Sequence, residues 1–154
     1  MNLAEKQNQI TAQLAALKNG QARLMFLVEQ ARSRPQLPAE LRVEKNRVPG
    51  CLAKLWLVAE HRAGRCFFSC DSDSLVVKAV AGLLCDFYSG QMPSEILAQE
   101  PDFLGPLGIA QHLTPNRRNA LARIREYIRD FADALSQRQD PEPAENIPAA
   151  SSGL

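Results

Sequence analysis

Apolar residues recur at helical spacing in two segments near the start of the chain. The first stripe predicts a helix over residues 3–17 that ends at Asn19-Gly20. The second predicts a helix that ends before Pro35, because the residue preceding a proline is pushed towards extended geometry. The stripes consist of Leu3, Ile10, Leu14 and Leu17, and of Leu24, Leu27, Val28 and Ala31.

The hydrophobic period then changes to one typical of strands. Residues 52–61 are rich in Leu, Trp and Val, an Arg-Ala-Gly-Arg turn follows, and a second short strand runs from Cys66 to Cys70. We therefore expect a β-hairpin in which Cys66 lies opposite about Glu60 and Cys70 opposite about Trp56.

The second half of the chain predicts helices. The run Asp71-Ser72-Asp73-Ser74 supplies capping oxygens for a helix that ends near Ser89. Prolines and glycines break residues 91–113 into short helical pieces. Thr114-Pro115 opens a last helix, which continues to about Arg138.

Helices come first, two strands follow together, and helices end the chain. This order predicts an α+β fold with a small antiparallel sheet and helices packed around it. A third strand has two possible places, the proline-bearing loop 35–50 and residues 103–113. We expect one domain over residues 1–138, and a polar, proline-bearing tail at 139–154 that is disordered.

Composition narrows the possible functions. The chain has 154 residues, of which 45% are hydrophobic, enough for a real core. Its net charge of +1 gives no reason to expect nucleic acid or an anionic membrane as partner. The apolar runs are far shorter than the roughly 20 residues that span a bilayer, and the first residues lack a signal-peptide pattern. We therefore expect a cytoplasmic protein with reduced cysteines.

The four cysteines do not have the spacing of a metal site. Cys51, Cys66, Cys70 and Cys85 include no Cys-x-x-Cys pair. Cys66 and Cys70 would lie about 13 Å apart on one strand, too far for a single zinc ion. We therefore expect no metal, and we expect Cys66, Cys70 and Cys85 to pack in the core or the sheet.

Cys51 stands in a different context, because it directly follows Pro49-Gly50. That dipeptide is a turn signal and places the thiol at a surface bend. Lys45, Arg47 and Lys54 are close in sequence, and their positive charge would favour the reactive thiolate.

No general base is evident beside Cys51. His61 lies at the hairpin turn, roughly 30 Å along a straight strand, and His112 can approach only through the fold. The chain therefore does not resemble a self-contained Cys-His hydrolase. Arg117 is at the start of the last helix, where the helix dipole disfavours a cation, which indicates a contact with another group.

Several short motifs, taken in order and spacing, resemble the SufE/CsdE family of sulfur-acceptor proteins over roughly residues 20–135. The motifs are VPGC at 48–51 with Trp56 five residues on, DSDS at 71–74, YSG at 88–90 and LGIAQHLTPNRRN at 107–119.

The resemblance implies an α+β fold like that of the scaffold protein IscU, and an accessory sulfur-transfer protein rather than an enzyme. Cys51 falls on the family's persulfide acceptor, with Gly50, Asp73, His112 and Arg117 in supporting or partner-binding positions. The implied partners are a pyridoxal-phosphate-dependent cysteine desulfurase (SufS-like) and a downstream iron–sulfur scaffold complex (SufB-like). The pyridoxal phosphate belongs to the desulfurase, so the resemblance implies no cofactor in this chain.

The chain departs from the family pattern at a few positions. Leu52, Ala53 and Lys54 replace the polar residues that commonly follow the cysteine, and Cys70 and Ala120 stand where glycine is common. These departures leave the identity of the desulfurase and the docking surface open.

We further expect the Cys51 loop to pack its thiol into a shallow recess, with Leu52 and Leu55 as its candidate walls, and to swing out towards a partner. Two other functions remain possible at this point. One is a scaffold for an iron–sulfur cluster, which needs three or four converging thiolates. The other is an adaptor that stimulates a desulfurase without taking its sulfur.

Overall fold

The computed structural model describes residues 1–139. Short 3-10 turns lie at Ala39–Leu41, Glu44–Asn46 and Ala110–His112. In chain order the helices and strands are α1 (Leu3–Ala15), α2 (Gly20–Ser33), β1 (Leu55–Arg62), β2 (Arg65–Ser72), α3 (Leu75–Tyr88), α4 (Pro93–Ala98) and α5 (Pro115–Gln139).

The first two helices form as predicted, but their junction differs from the prediction. α1 ends at Ala15, before Asn19-Gly20. Asn19 instead begins the next helix, because its side-chain oxygen accepts a hydrogen bond of 2.9 Å from the Ala22 N–H. α2 ends just before Pro35, in agreement with the prediction.

The hairpin is confirmed with a corrected register. His61 lies opposite Cys66 and Leu57 opposite Cys70, one position from the expected pairing. The turn consists of Ala63-Gly64, both with positive φ, so Arg62 pairs with Arg65 and His61 with Cys66. Two-residue turns of this kind match the twist of the strands that they join.

The strand boundaries also differ from the prediction, since β1 begins at Leu55 rather than Leu52. The backbone of Lys54 is bound elsewhere: its N–H donates to Asp73 Oδ1 at 3.0 Å, and its carbonyl accepts from the Asp73 N–H at 3.2 Å. These bonds hold residues 52–54 in a bend. β2 correspondingly extends past Cys70 to Ser72.

Neither expected place holds a third strand within the described part of the chain. The sheet has two strands, and two isolated bridges extend it, one between Arg47 and Trp56 and one between Cys66 and Gln91. The first bridge ties the end of the long loop 35–50 to the hairpin.

The core lies between the inner face of the hairpin and the helices α3 and α5. Leu55 and Leu57 on β1 pack with residues of α3 and α5 that are fully buried. Phe68 on β2 and Phe131 on α5 meet edge to face, with ring centroids 5.8 Å apart. The expected α+β fold is therefore confirmed, and α5 is packed so that its first half faces residues 48–54.

A buried ion pair fixes the long loop against this core. Lys78 Nζ lies 3.4 Å from Asp71 Oδ1, and both side chains are almost fully buried. Asp71 Oδ2 also accepts from the Leu37 N–H at 3.0 Å, and Lys78 donates to the Arg34 carbonyl at 3.2 Å. The first aspartate of the DSDS motif is therefore structural.

No helix within residues 1–139 is both long enough and apolar enough to cross a membrane. The tail predicted at 139–154 lies outside the described residues, apart from Gln139, at which α5 ends. The predicted domain boundary at residue 138 stays a prediction.

Candidate functional site

Cys51 lies in the middle of a short surface loop, residues 49–54, which we call the Cys51 loop. A hydrogen bond of 2.8 Å from the Val48 N–H to the Leu55 carbonyl closes the loop at its base. Gly50 has a φ of +83°, in the left-handed region that favours glycine, and this turns the chain just before the thiol.

The Cys51 loop is held at both ends by side chains from elsewhere in the fold. At one end, Asn119 Nδ2 on α5 donates to the Gly50 carbonyl at 2.8 Å. At the other end, Asp73 binds the Lys54 N–H as described above. Cys51 itself stands between these anchors.

The Cys51 thiol is half-buried and packs against the edge of the hydrophobic core. The two leucines expected to line a recess behave differently from each other. Leu55 is fully buried within the core and lines neither of the two clefts beside the Cys51 loop, whereas Leu52 is 78% exposed. The expectation for Leu52 is therefore wrong, because the bend at residues 52–54 turns its side chain to solvent.

Burial has the larger effect on the ionisation of Cys51. Desolvation raises the pKa of the Cys51 thiol, and the positive charges of Arg123 and Arg47 offset only part of this rise. The expectation that nearby positive charge favours the thiolate holds for Arg47, whose charge lowers the pKa of Cys51, but burial outweighs this effect. Arg123 on α5 lies against the loop, since a Cβ at Gly50 would be 3.0 Å from its Nε.

Two open clefts flank the Cys51 loop. The first, of about 350 Å³, lies between Pro49-Gly50 and the side chains of Arg123 and Tyr127. The second, of about 340 Å³, lies on the other side of the loop. Its lining includes Leu52, Ala53, Ser74, Val77, Thr114 and Arg117. The clefts adjoin the loop residues before and after Cys51, and Cys51 itself lines neither.

The structure brings most of the predicted site residues to the Cys51 loop. Gly50 forms its turn, Asp73 anchors its end, and Arg117 lines the second cleft. His112 lies elsewhere, because it ends a 3-10 turn and its ring is next to Gly20 at the start of α2. It lines neither cleft.

Sequence reasoning missed Asn119 and Arg123. Both are on α5, about one helical turn apart, and they share a face with Asn116, so helical spacing could have grouped them. Nothing in the local sequence indicates that this face meets a loop about 70 residues earlier, as the bond between Asn119 and Gly50 requires.

The other three cysteines pack in the interior, as expected. Cys66 and Cys85 are buried and Cys70 is partly buried. Desolvation raises the pKa of Cys66 to about 11, which keeps that thiol protonated. Across residues 1–139, no three or more His, Cys, Asp or Glu side chains converge in a way that could hold a metal ion.

Comparison with known proteins agrees with this architecture. The solution structure of a hypothetical protein from Thermus thermophilus matches with a TM-score of 0.68 and covers 86% of this chain and 96% of that one. The sequence identity of that pair is 24%, so this match shows the fold alone.

Sequence comparisons identify the family. An uncharacterized SufE-like protein of Rhizobium meliloti (strain 1021) is 28% identical over 132 residues, which cover 82% of this chain and 94% of that protein. SufE-like protein 1 of Arabidopsis thaliana, named as chloroplastic/mitochondrial, is 30% identical over 123 residues, or 79% of this chain and 33% of that protein. The SufE family model, described as an Fe-S metabolism associated domain, matches residues 8–132. The chain therefore belongs to the SufE family, whose shared domain is associated with iron–sulfur metabolism.

Proposed function

We propose that Cys51 accepts the outer sulfur of the persulfide on a pyridoxal-phosphate-dependent cysteine desulfurase, and carries it to an iron–sulfur cluster assembly complex. The observation that supports this most strongly is the position of the thiol. It is the only cysteine of residues 1–139 that lies in a surface loop, and the loop residues before and after it line two clefts.

The transfer is a thiol–persulfide exchange. Cys51 loses its proton, and its thiolate attacks the outer sulfur of the desulfurase persulfide. A new S–S bond forms on Cys51, the S–S bond of the donor breaks, and the electron pair leaves on the desulfurase thiolate. No electrons are gained or lost overall, so this chain needs no redox cofactor for the step.

The environment of Cys51 suits a persulfide sulfur that has to be protected between its donor and its acceptor. In the resting loop, desolvation raises the pKa of Cys51 and keeps it protonated, which lowers its reactivity towards unrelated electrophiles. Movement of the loop away from the core would remove the desolvation that the core imposes on the thiol. In the resting position, Arg123 and Arg47 already favour the thiolate.

The surface beside the thiol offers contacts for docking. Leu52 is an exposed apolar side chain directly next to Cys51, and it lines the second cleft together with Arg117. We expect Leu52 to be buried against the desulfurase, and Arg117 to contact an acidic or polar group of it. Gly50 and Asp73 act through the shape of the loop.

Intact-mass spectrometry tests this function. The chain is incubated with a SufS-like desulfurase and cysteine, and its mass is measured before and after reduction. We expect a gain of one sulfur atom that reductant removes, that is absent in Cys51→Ser and that persists in the matched variant Cys70→Ser.

Two further measurements separate the alternatives. If Cys51→Ser still stimulates the desulfurase as the native chain does, the protein is an adaptor and the proposal is wrong. If anaerobic addition of iron and sulfide to the chain gives a stable visible chromophore that Cys51→Ser lacks, Cys51 is a cluster ligand. The protein is then a cluster scaffold and not a sulfur acceptor.

A further inference from the structure

Two thiols other than Cys51, Cys70 on β2 and Cys85 on α3, lie where the inner face of the hairpin packs on α3. The Phe68 N–H donates to Ser89 Oγ at 2.9 Å, and this hydroxyl donates back to the Phe68 carbonyl at 3.3 Å, which sets the two elements in register. From Phe68 to Cys70 the strand advances roughly 7 Å. A helix needs about four to five residues to cover the same distance. Four residues back along the chain from Ser89 is Cys85.

Alternation along β2 directs the Cys70 side chain towards the same helix. Cys66 and Phe68 point into the core, so Cys70, two residues further, points to the same side. Together with the register, this places Cys70 beside Cys85, near enough that each thiol shifts the pKa of the other.

A cation stands over this pair. The Arg34 guanidinium is paired with the Asp86 carboxylate and lies directly on α3, since a Cβ at Gly82 would be only 2.6 Å from Arg34 Cζ. The absence of a side chain at Gly82 leaves room for this approach. Arg34 favours ionisation of both cysteines.

The two thiols are not equivalent. The hydrogen bond from Cys85, helped by Arg34, lowers the pKa of Cys70, whereas the same hydrogen bond together with burial raises the pKa of Cys85. Cys70 is also the more accessible of the two, because it is partly exposed while Cys85 is 2% exposed. Cys70 is therefore better placed to react with a reagent from solution, and Cys85 to react afterwards with Cys70 inside the protein.

We propose that Cys70 and Cys85 form a second reactive site, separate from Cys51, which small-molecule disulfides (oxidised low-molecular-weight thiols) convert into an internal disulfide. In the first step the Cys70 thiolate attacks the small disulfide, forms a mixed disulfide and releases one small thiolate. In the second step Cys85 loses its proton and attacks the Cys70 sulfur of the mixed disulfide. The second small thiol leaves, so the protein loses two electrons and two protons, and the reagent gains them.

The product would link β2 covalently to α3 beneath the Arg34–Asp86 pair. The Cys51 loop takes no part in this bond, because both of its anchors, Asn119 and Asp73, lie outside it. We therefore expect an oxidised chain that resists thermal unfolding more strongly than the reduced chain, with Cys51 still free to react.

Peptide analysis of a Cys51→Ser chain treated with glutathione disulfide tests this proposal. Trypsin cuts after Arg65, Lys78 and Arg117 and so separates Cys70, on residues 66–78, from Cys85, on residues 79–117. We expect the intact chain to lose two hydrogen atoms and these two peptides to be joined. A chain that stays reduced, while the same chain reacts fully after denaturation, would overturn the proposal.

Three variants assign the bond. Cys66→Ala is the matched control, because Cys66 shares the tryptic peptide with Cys70, and the link should persist. Cys85→Ala should stop at one glutathionyl group on Cys70, and Cys70→Ala should react far more slowly. Loss of the link in Cys66→Ala would contradict the assignment. The Cys66→Ala result can be interpreted even if Cys85→Ala or Cys70→Ala does not fold. No desulfurase is used, so the experiment can fail or succeed independently of the proposed function.

Discussion

Asn119→Ala tests whether the hydrogen bond from α5 holds the Cys51 loop in its resting position. The bond from Asn119 Nδ2 to the Gly50 carbonyl is 2.8 Å long, and it is exposed to solvent. A hydrogen bond of this kind contributes about 1 kcal/mol net. Since 1.4 kcal/mol corresponds to a factor of ten, its loss should increase the open population of the loop about fivefold.

The open population is measured through alkylation of Cys51 by iodoacetamide under native conditions. Trypsin releases residues 48–54 as a peptide that contains Cys51 and no other cysteine, so the native chain can be used. If the thiol reacts mainly when the loop opens, the rate at Cys51 should rise about fivefold in Asn119→Ala.

Asn116→Ala is the matched control for this measurement. Asn116 is one turn earlier on the same helix and is exposed, and it lines the second cleft without a hydrogen bond to the loop carbonyl. Its rate should stay at the native value. An unchanged rate in Asn119→Ala, or an equal rise in both variants, would refute the role assigned to this hydrogen bond.

Three further predictions concern the same loop and its support. Gly50→Ala places a side chain at φ +83° and 3.0 Å from Arg123 Nε, so we expect the free energy of unfolding in urea to fall by about 1 kcal/mol and Cys51 to be alkylated faster. Native values for both measurements would contradict the predicted backbone strain. Asp71→Asn leaves Lys78 buried without its partner charge, and we expect the free energy of unfolding in urea to fall by about 3 kcal/mol. A decrease well below 1 kcal/mol would show that the ion pair does not stabilise the fold. Because burial raises the pKa of Cys51, the midpoint of its alkylation-pH profile should lie above that of the denatured chain, and Arg123→Gln should move it higher still; a native midpoint below the denatured one would contradict the effect of burial.

Local patterns in the sequence predicted the elements of the fold well, because helices, caps and tight turns depend on neighbouring residues. The end of α2 just before Pro35 and the capping role of Ser74 are both seen in the structure. Errors arose where a distant group intervenes. The strand β1 starts late because Asp73 takes the backbone groups of Lys54, and no propensity indicates that pairing.

The candidate site was predictable in its centre and not in its surroundings. Pro49-Gly50 indicated that Cys51 lies in a loop, and the motif order indicated the family. The sign of the Cys51 pKa shift was not predictable, because it depends on burial against the core. The approach of Cys70 to Cys85 depends likewise on the register between a strand and a helix, which sequence spacing alone does not reveal.

The central claim is that sulfur passes from a desulfurase to Cys51, and transfer of labelled sulfur tests it most directly. A desulfurase is loaded with radiolabelled sulfur from cysteine, freed of excess cysteine, and mixed with this chain in a single turnover. We predict that the label moves to Cys51 on the peptide of residues 48–54 and is released by reductant. If the label stays on the desulfurase, or reaches Cys51→Ser as fast as the native chain, the claim is contradicted.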